Sequence, residues 1–208
     1  MYTLSYVLYG IGGVAVLILL GFTIALFKKK GTAKTNKIAI IISVLVAVAS
    51  FGYGGYHQYD INQTIEVADD EFADNADKFT KLYFSTSVDL EKAGANIGKE
   101  WEEAANEADE NDEDFDVEKT VNSATSHNAE TIISSDDNVK KLKKYLQNMA
   151  DYDTGNYDYE SYKDAYNSIK DMLYVVKYPS GTLSDYHSKY NKADENVSKD
   201  YDEIKDDD

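Results

Sequence analysis

The stretch IALFKKKGTAKTNKIAII, residues 24–41, sets two apolar runs on either side of a lysine-rich link. Its charges are Lys28, Lys29, Lys30, Lys34 and Lys37, and no acid accompanies them. Working outward, residues 4–27 and 38–56 carry no charge over about 24 and about 19 positions. A helix needs roughly 20 apolar residues to cross a bilayer, so both runs are predicted spans and the lipid bilayer a predicted partner. The link 28–37 is too short to hold a domain, and the expectation for residues 1–57 is a two-helix transmembrane hairpin. Lysines beside a span stay on the cytoplasmic face, because carrying them across opposes both the bilayer and the membrane potential. The expected topology is therefore two-pass, with the link inside and both the N-terminus and the remainder of the chain extracytoplasmic. Tyr2, Tyr6 and Tyr9 at one outer end, with Phe51, Tyr53, Tyr56 and Tyr59 at the other, suit the headgroup layer of that same face. An alternative for the second run is a signal-like segment cleaved after Ser50. Gly10, Gly13, Gly21, Gly52, Gly54 and Gly55 either let the two helices approach closely or reflect ordinary membrane usage.

The chain has 208 residues and a net charge of −17, divided unevenly. Residues 1–57 total +5, and residues 58–208 total −22. A field that negative repels phosphate backbones and argues against nucleic-acid binding. With no cysteine there is neither a disulfide nor a thiolate ligand, and with no arginine there is no bidentate fork for phosphate.

Residues 58–208 read as a second, all-α region: an antiparallel, coiled-coil-like helical bundle. Ile65, Ala68, Phe72, Ala76, Phe79, Leu82 and Thr86 recur at spacings of three and four, and Leu90, Ile97, Trp101, Ala104 and Ala108 extend the stripe. One helix, or two nearly collinear ones, is predicted over about 62–108, ended by the acidic tract 109–116. A second stretch covers about 117–133, and SSDDN, 134–138, offers a break and a fresh N-cap. Val139, Leu142, Leu146 and Met149 mark the next helix. Tyr162, Tyr166, Ile169, Leu173 and Val176 mark another, which Pro179 must stop. Leu183, Tyr186, Tyr190, Ala193, Val197 and Ile204 give the cleanest stripe.

Catalytic patterns are absent from the sequence. His57, His127 and His187 have no partner at zinc spacing, no G-x-S-x-G elbow or phosphate loop occurs, and the carboxylates lie on expected solvated faces. The expectation is a non-enzyme without cofactor or metal. Two acidic stretches, 107–118 and 151–160, approach a calcium loop but miss its first or sixth position. Eighteen tyrosines, crowded after residue 145, either contact a partner or pack between helices with their hydroxyls at the rim.

Two segments carry a resemblance. ANIGKEWEEA, 95–104, places the lone Trp101 after a run of small residues, and YKDAYNSIKDMLYVVKYPSGTLSDYHSKY, 162–190, contains the P-S-G-[ST]-L element as Pro179 to Leu183. Together they resemble the small helical surface proteins that phages of lactic acid bacteria encode in lysogeny modules, some of which act in superinfection exclusion. The resemblance covers about half of the outer region and departs from the family in having no lipidated cysteine. It implies a membrane-tethered protein that stops incoming phage DNA by contacting the injection machinery. Trp101, Tyr178, Pro179, Gly181, Leu183 and Tyr186 are the candidate contact residues. The rival expectations are an envelope scaffold that forms homo-oligomers through the 183–204 stripe, and a holin-like protein whose working part is the glycine-rich hairpin.

Overall fold

The computed structural model describes residues 2–28, 32–111 and 114–205. Among them the chain is all-helical, with no strand: α1 Thr3–Phe27, α2 Ala33–Glu110, α3 Val117–His127, α4 Ala129–Tyr152, α5 Tyr159–Lys177 and α6 Leu183–Ile204. It divides into two compact units, Met1–Val67 and Ala68–Asp208, and α2 contributes residues to each.

In the first unit, α1 and the apolar start of α2 are each long and apolar enough to cross a membrane. The two pack in opposite sense. Tyr2 donates to Asn62 (3.0 Å), Ser5 Oγ lies 3.0 Å from His57 Nδ1, and the Tyr9 and Phe51 rings stack at 6.2 Å. Of the glycines singled out above, only Gly54 sits in a tight contact, where a Cβ would meet Tyr9 at 3.1 Å. Gly12 is the tighter position, since a Cβ there would meet the Phe51 ring at 2.9 Å. Gly10, Gly13, Gly21 and Gly52 have open space around them. Lys28, Lys34 and Lys37 are exposed, and Lys29 and Lys30 lie outside the described residues.

The backbone of α2 runs on through His57–Asn62, where the sequence pattern changes from apolar to amphipathic. Nothing there interrupts a helix: the segment lacks proline and glycine, Gln63 donates to Tyr59, and the Thr64 hydroxyl returns to the Asp60 carbonyl.

The second unit is built around the stripe read from the sequence. Phe72, Ala76, Phe79, Leu90, Ile97 and Trp101 of α2 are buried against Leu142 and Met149 of α4, Tyr162, Ile169, Met172 and Val176 of α5, and Tyr186, Val197 and Ile204 of α6. Tyr83, rather than its neighbour Leu82, takes the innermost place on its turn. Its hydroxyl lies 2.9 Å from Ser168 Oγ and donates to the Val197 carbonyl at 3.0 Å. Burial pushes its pKa well up, as expected for a phenol whose charged form has no solvent.

One predicted break moves. The chain does not restart at SSDDN; it breaks earlier, at Asn128, and α4 runs straight through 134–138. Local propensity favours a cap at those serines and aspartates, but tertiary contacts hold them in the helix. Ile132, Ser135 and Val139 face the core, while Asp136 takes Lys140 at 2.8 Å and Lys177 of α5 at 2.9 Å. Those two ammonium groups hold the Asp136 carboxyl below the usual range.

The predicted stop at Pro179 is present, and the following helix starts with a motif that the spacing T-x-x-D encodes. Gly181 adopts φ +91°, and Thr182 then caps α6 in a capping box: its hydroxyl accepts from the Asp185 amide, and the Asp185 carboxylate accepts from the Thr182 amide. We expect Thr182→Ala to lower the stability of the second unit by about 1 kcal/mol, measured as a shift of the urea midpoint at unchanged slope.

Candidate functional site

Three consequences of the α5–α6 turn place most of the candidate residues in one neighbourhood. Helix α5 ends at Lys177, its C-cap Tyr178 donates its amide to the Tyr174 carbonyl, and Pro179 cannot continue it. The turn then folds over Trp101. Trp101, Val121, Pro179 and Gly181 line one open pocket of ≈ 310 Å³. On the other side of Ser180, Tyr174, Tyr178, Tyr186 and Lys189 line a second, of ≈ 230 Å³.

Within this neighbourhood the six residues part into two groups. Trp101 (1 % exposed) and Tyr186 (1 %) are core residues with ring centroids 5.8 Å apart. Tyr178 and Gly181 are exposed, with Pro179 and Leu183 half-buried beside them. Tyr178 is 55 % exposed and Tyr174 65 %, their rings lie 5.3 Å apart, and Lys177 Nζ sits 5.6 Å from the Tyr178 ring centroid. Two adjacent exposed phenols of this kind offer contact area with little side-chain entropy to lose.

Beneath the turn runs a seam between α2 and α6, to which Tyr186 alone of the candidate residues belongs. Gly94 and Gly98, one helical turn apart on α2, open a flat strip on which α6 lays its rings. A Cβ on Gly94 would stand 2.2 Å from the Tyr190 ring, and one on Gly98 would stand 2.8 Å from His187 Nε2. Tyr186 donates to the Gly94 carbonyl (2.9 Å), and Tyr190 donates to the Glu91 carbonyl (2.8 Å). The Tyr186 and Tyr190 rings stack at 6.0 Å and 17°. Burial raises both phenols, Tyr190 to about 12. The sequence signal was G-A-N-I-G inside a helical stripe, where glycine is costly and so needs a packing reason.

Other tyrosines after residue 145 divide similarly. Tyr162 is buried, Tyr145, Tyr157, Tyr159 and Tyr166 are half-buried against the core, and Tyr152, Tyr174 and Tyr178 are exposed. Packing between helices therefore accounts for most of them.

The acidic stretches have local uses. In 151–160, Asp153 accepts from the Gly155 amide at 2.8 Å, and Asp158 caps α5 by accepting from the Ser161 amide and hydroxyl. Thr154 and Asn156 fasten the same turn to Asp69 of α2. The 107–118 stretch includes Asp112 and Glu113, which lie outside the described residues; Asp116 caps α3. Among the described residues no three histidine, aspartate or glutamate side chains converge to hold a metal ion. His127 pairs with Glu100 at 2.8 Å.

Compared with protein-family models, curated proteins and solved structures, the chain matches none.

Proposed function

We propose that the protein spans the cell membrane twice, holds its acidic helical bundle on the outer side, and blocks the passage of phage DNA by contacting the injection apparatus. The membrane assignment rests on two apolar helices joined through a cationic link, with aromatic side chains gathered at their opposite ends. The observation that carries the contact assignment is the exposed edge at the α5–α6 turn: Tyr174, Tyr178 and Gly181, with Pro179 half-buried between them, on a capped turn. The surface offered to a partner is this edge, with Trp101 and Tyr186 supporting it from below. Self-association through the 183–204 stripe is the weaker reading, because Tyr186, Ala193, Val197 and Ile204 are already covered within the chain.

Expression in a sensitive host tests the reading. Phage adsorption stays intact, DNA delivery is lost, and added protease removes the 58–208 region from intact protoplasts. Tyr174→Ala with Tyr178→Ala restores plaque formation while leaving the protein's level and helicity unchanged. Equal plating with and without the protein sinks the exclusion reading. A protected C-terminal region sinks the topology.

A further inference from the structure

Along the α2–α6 seam two carboxylates share the surroundings of Tyr190, whose hydroxyl donates to the Glu91 carbonyl and whose phenol both Glu91 and Asp194 act on. Glu91 on α2 is half-buried, and Asp194 lies one turn beyond Tyr190 on α6. Asp194 Oδ1 is shut off from solvent and has no hydrogen-bond partner. Among the described residues neither carboxylate forms an ion pair. A buried carboxylate oxygen without a donor destabilises its surroundings for as long as it is charged, and a second carboxylate nearby adds repulsion. One proton relieves both.

We infer that the seam is a proton-operated latch: with Glu91 and Asp194 ionised the first half of α6 lifts from α2 more readily, and protonation seats it over Trp101. What the latch covers is set by the ring contacts. Asp194 and Glu91 flank Tyr190, Tyr190 stacks on Tyr186, and Tyr186 lies on Trp101. Loosening this half of α6 therefore uncovers the two candidate contact residues that the closed structure buries.

The groups acting on the pair can be named from each side. On Glu91, burial comes first and Asp194 second, both raising its pKa, with Lys92 of α2 opposing them. On Asp194 the upward shift comes from burial alone. Tyr190 stays neutral, its phenol raised by burial and by both carboxylates. On α5, Lys170 and Asp171 are exposed and act on neither carboxylate. A carboxyl raised in the folded state contributes stability that is fully present below its unfolded pKa and lost as pH climbs through the folded one. The latch thus tightens on acidification. Asp136 and Asp185, held low by Lys140 and Lys177 and by the Thr182 backbone, act in the opposite sense only below the ordinary carboxylate range. The two windows do not overlap.

Hydrogen exchange of the full-length protein in detergent tests the latch without reference to phage. Corrected for intrinsic exchange, protection of the amides in residues 186–194 rises severalfold as the pH falls from about 7.5 to about 4, the ordinary carboxylate range. Asp194→Asn and Glu91→Gln remove the rise; Glu195→Gln, an exposed neighbour on α6, keeps it. Loss of the rise in either seam variant, with the Glu195 control unchanged, carries the inference. A flat wild-type profile, a rise that survives in both seam variants, or a control that flattens equally overturns it. Failure of phage exclusion leaves this result untouched, so the two readings fall separately.

Discussion

Trp101→Ala lowers the unfolding free energy of the second unit by about 3–5 kcal/mol. The side chain is almost wholly enclosed, packed on Tyr186 beneath the turn that carries Pro179 and Gly181. Removing the indole forfeits its transfer energy and leaves a hole that two rigid helices cannot close. The adjoining pocket bears on the size of the loss, because its walls are the start of α3 and the 179–181 turn, and the turn is free to settle inward unless its cap holds it. A loss near the lower bound means that the turn collapses; one near the upper bound means that the capping box holds it in place. Urea unfolding followed by circular dichroism gives the number, since the variant loses the chain's only tryptophan as a probe. A loss under about 1 kcal/mol, the scale of an ordinary surface change, contradicts the packing described here. Because domains are stable by only about 5–15 kcal/mol, this one substitution takes much of the margin.

Gly94→Ala destabilises the same unit by about 2 kcal/mol, although alanine is the better helix former. The gain in helix propensity is at most about 1 kcal/mol. Against it, a methyl 2.2 Å from the Tyr190 ring cannot be accommodated where the ring stands. Tyr190 must swing out, losing its bond to the Glu91 carbonyl and its stack on Tyr186, and such overpacking costs about 1–3 kcal/mol. Gly98→Ala provides the contrast. There the nearest atom is the far end of the half-buried His187 ring, which has room to give, so the change stays within about 1 kcal/mol of neutral. Paired measurements with Tyr190→Ala check the cause: the Gly94→Ala penalty shrinks once the ring is gone, and an undiminished penalty assigns it elsewhere.

Much of the fold was legible from the spacing of apolar residues. The stripes through Phe72 and Phe79, through Ile169 and Leu173, and from Leu183 to Ile204 all face the core, and Pro179 ends α5 where φ restriction and a missing donor require. The restart of the chain was not legible. SSDDN has the composition of a cap, yet Ser135 is inward and Asp136 joins α4 to α5 through Lys177, a contact 41 positions away that no local pattern records. Asn128, the actual break, is an unremarkable letter whose side chain bonds the Ala124 carbonyl. The candidate contact residues came from the resemblance; of the six, Tyr178 and Gly181 are exposed, Pro179 and Leu183 are half-buried, and Trp101 and Tyr186 lie inside, which the apolar phase of their stripes already encodes. The seam was not legible, because glycine within a helix reads as weakness until the partner ring is known. Asp194 resembles any other carboxylate in so acidic a chain, and only its enclosure sets it apart.

The Tyr83 hydroxyl gives α6 a pivot. It joins α2 to Ser168 of α5 and to the Val197 carbonyl of α6, and Val197 lies past Asp194 on the far side from Tyr186. A swing of the early turns of α6 therefore works as a short lever about a fixed bearing rather than a detachment. The arc it sweeps is limited by the twelve residues from Tyr186 to Val197.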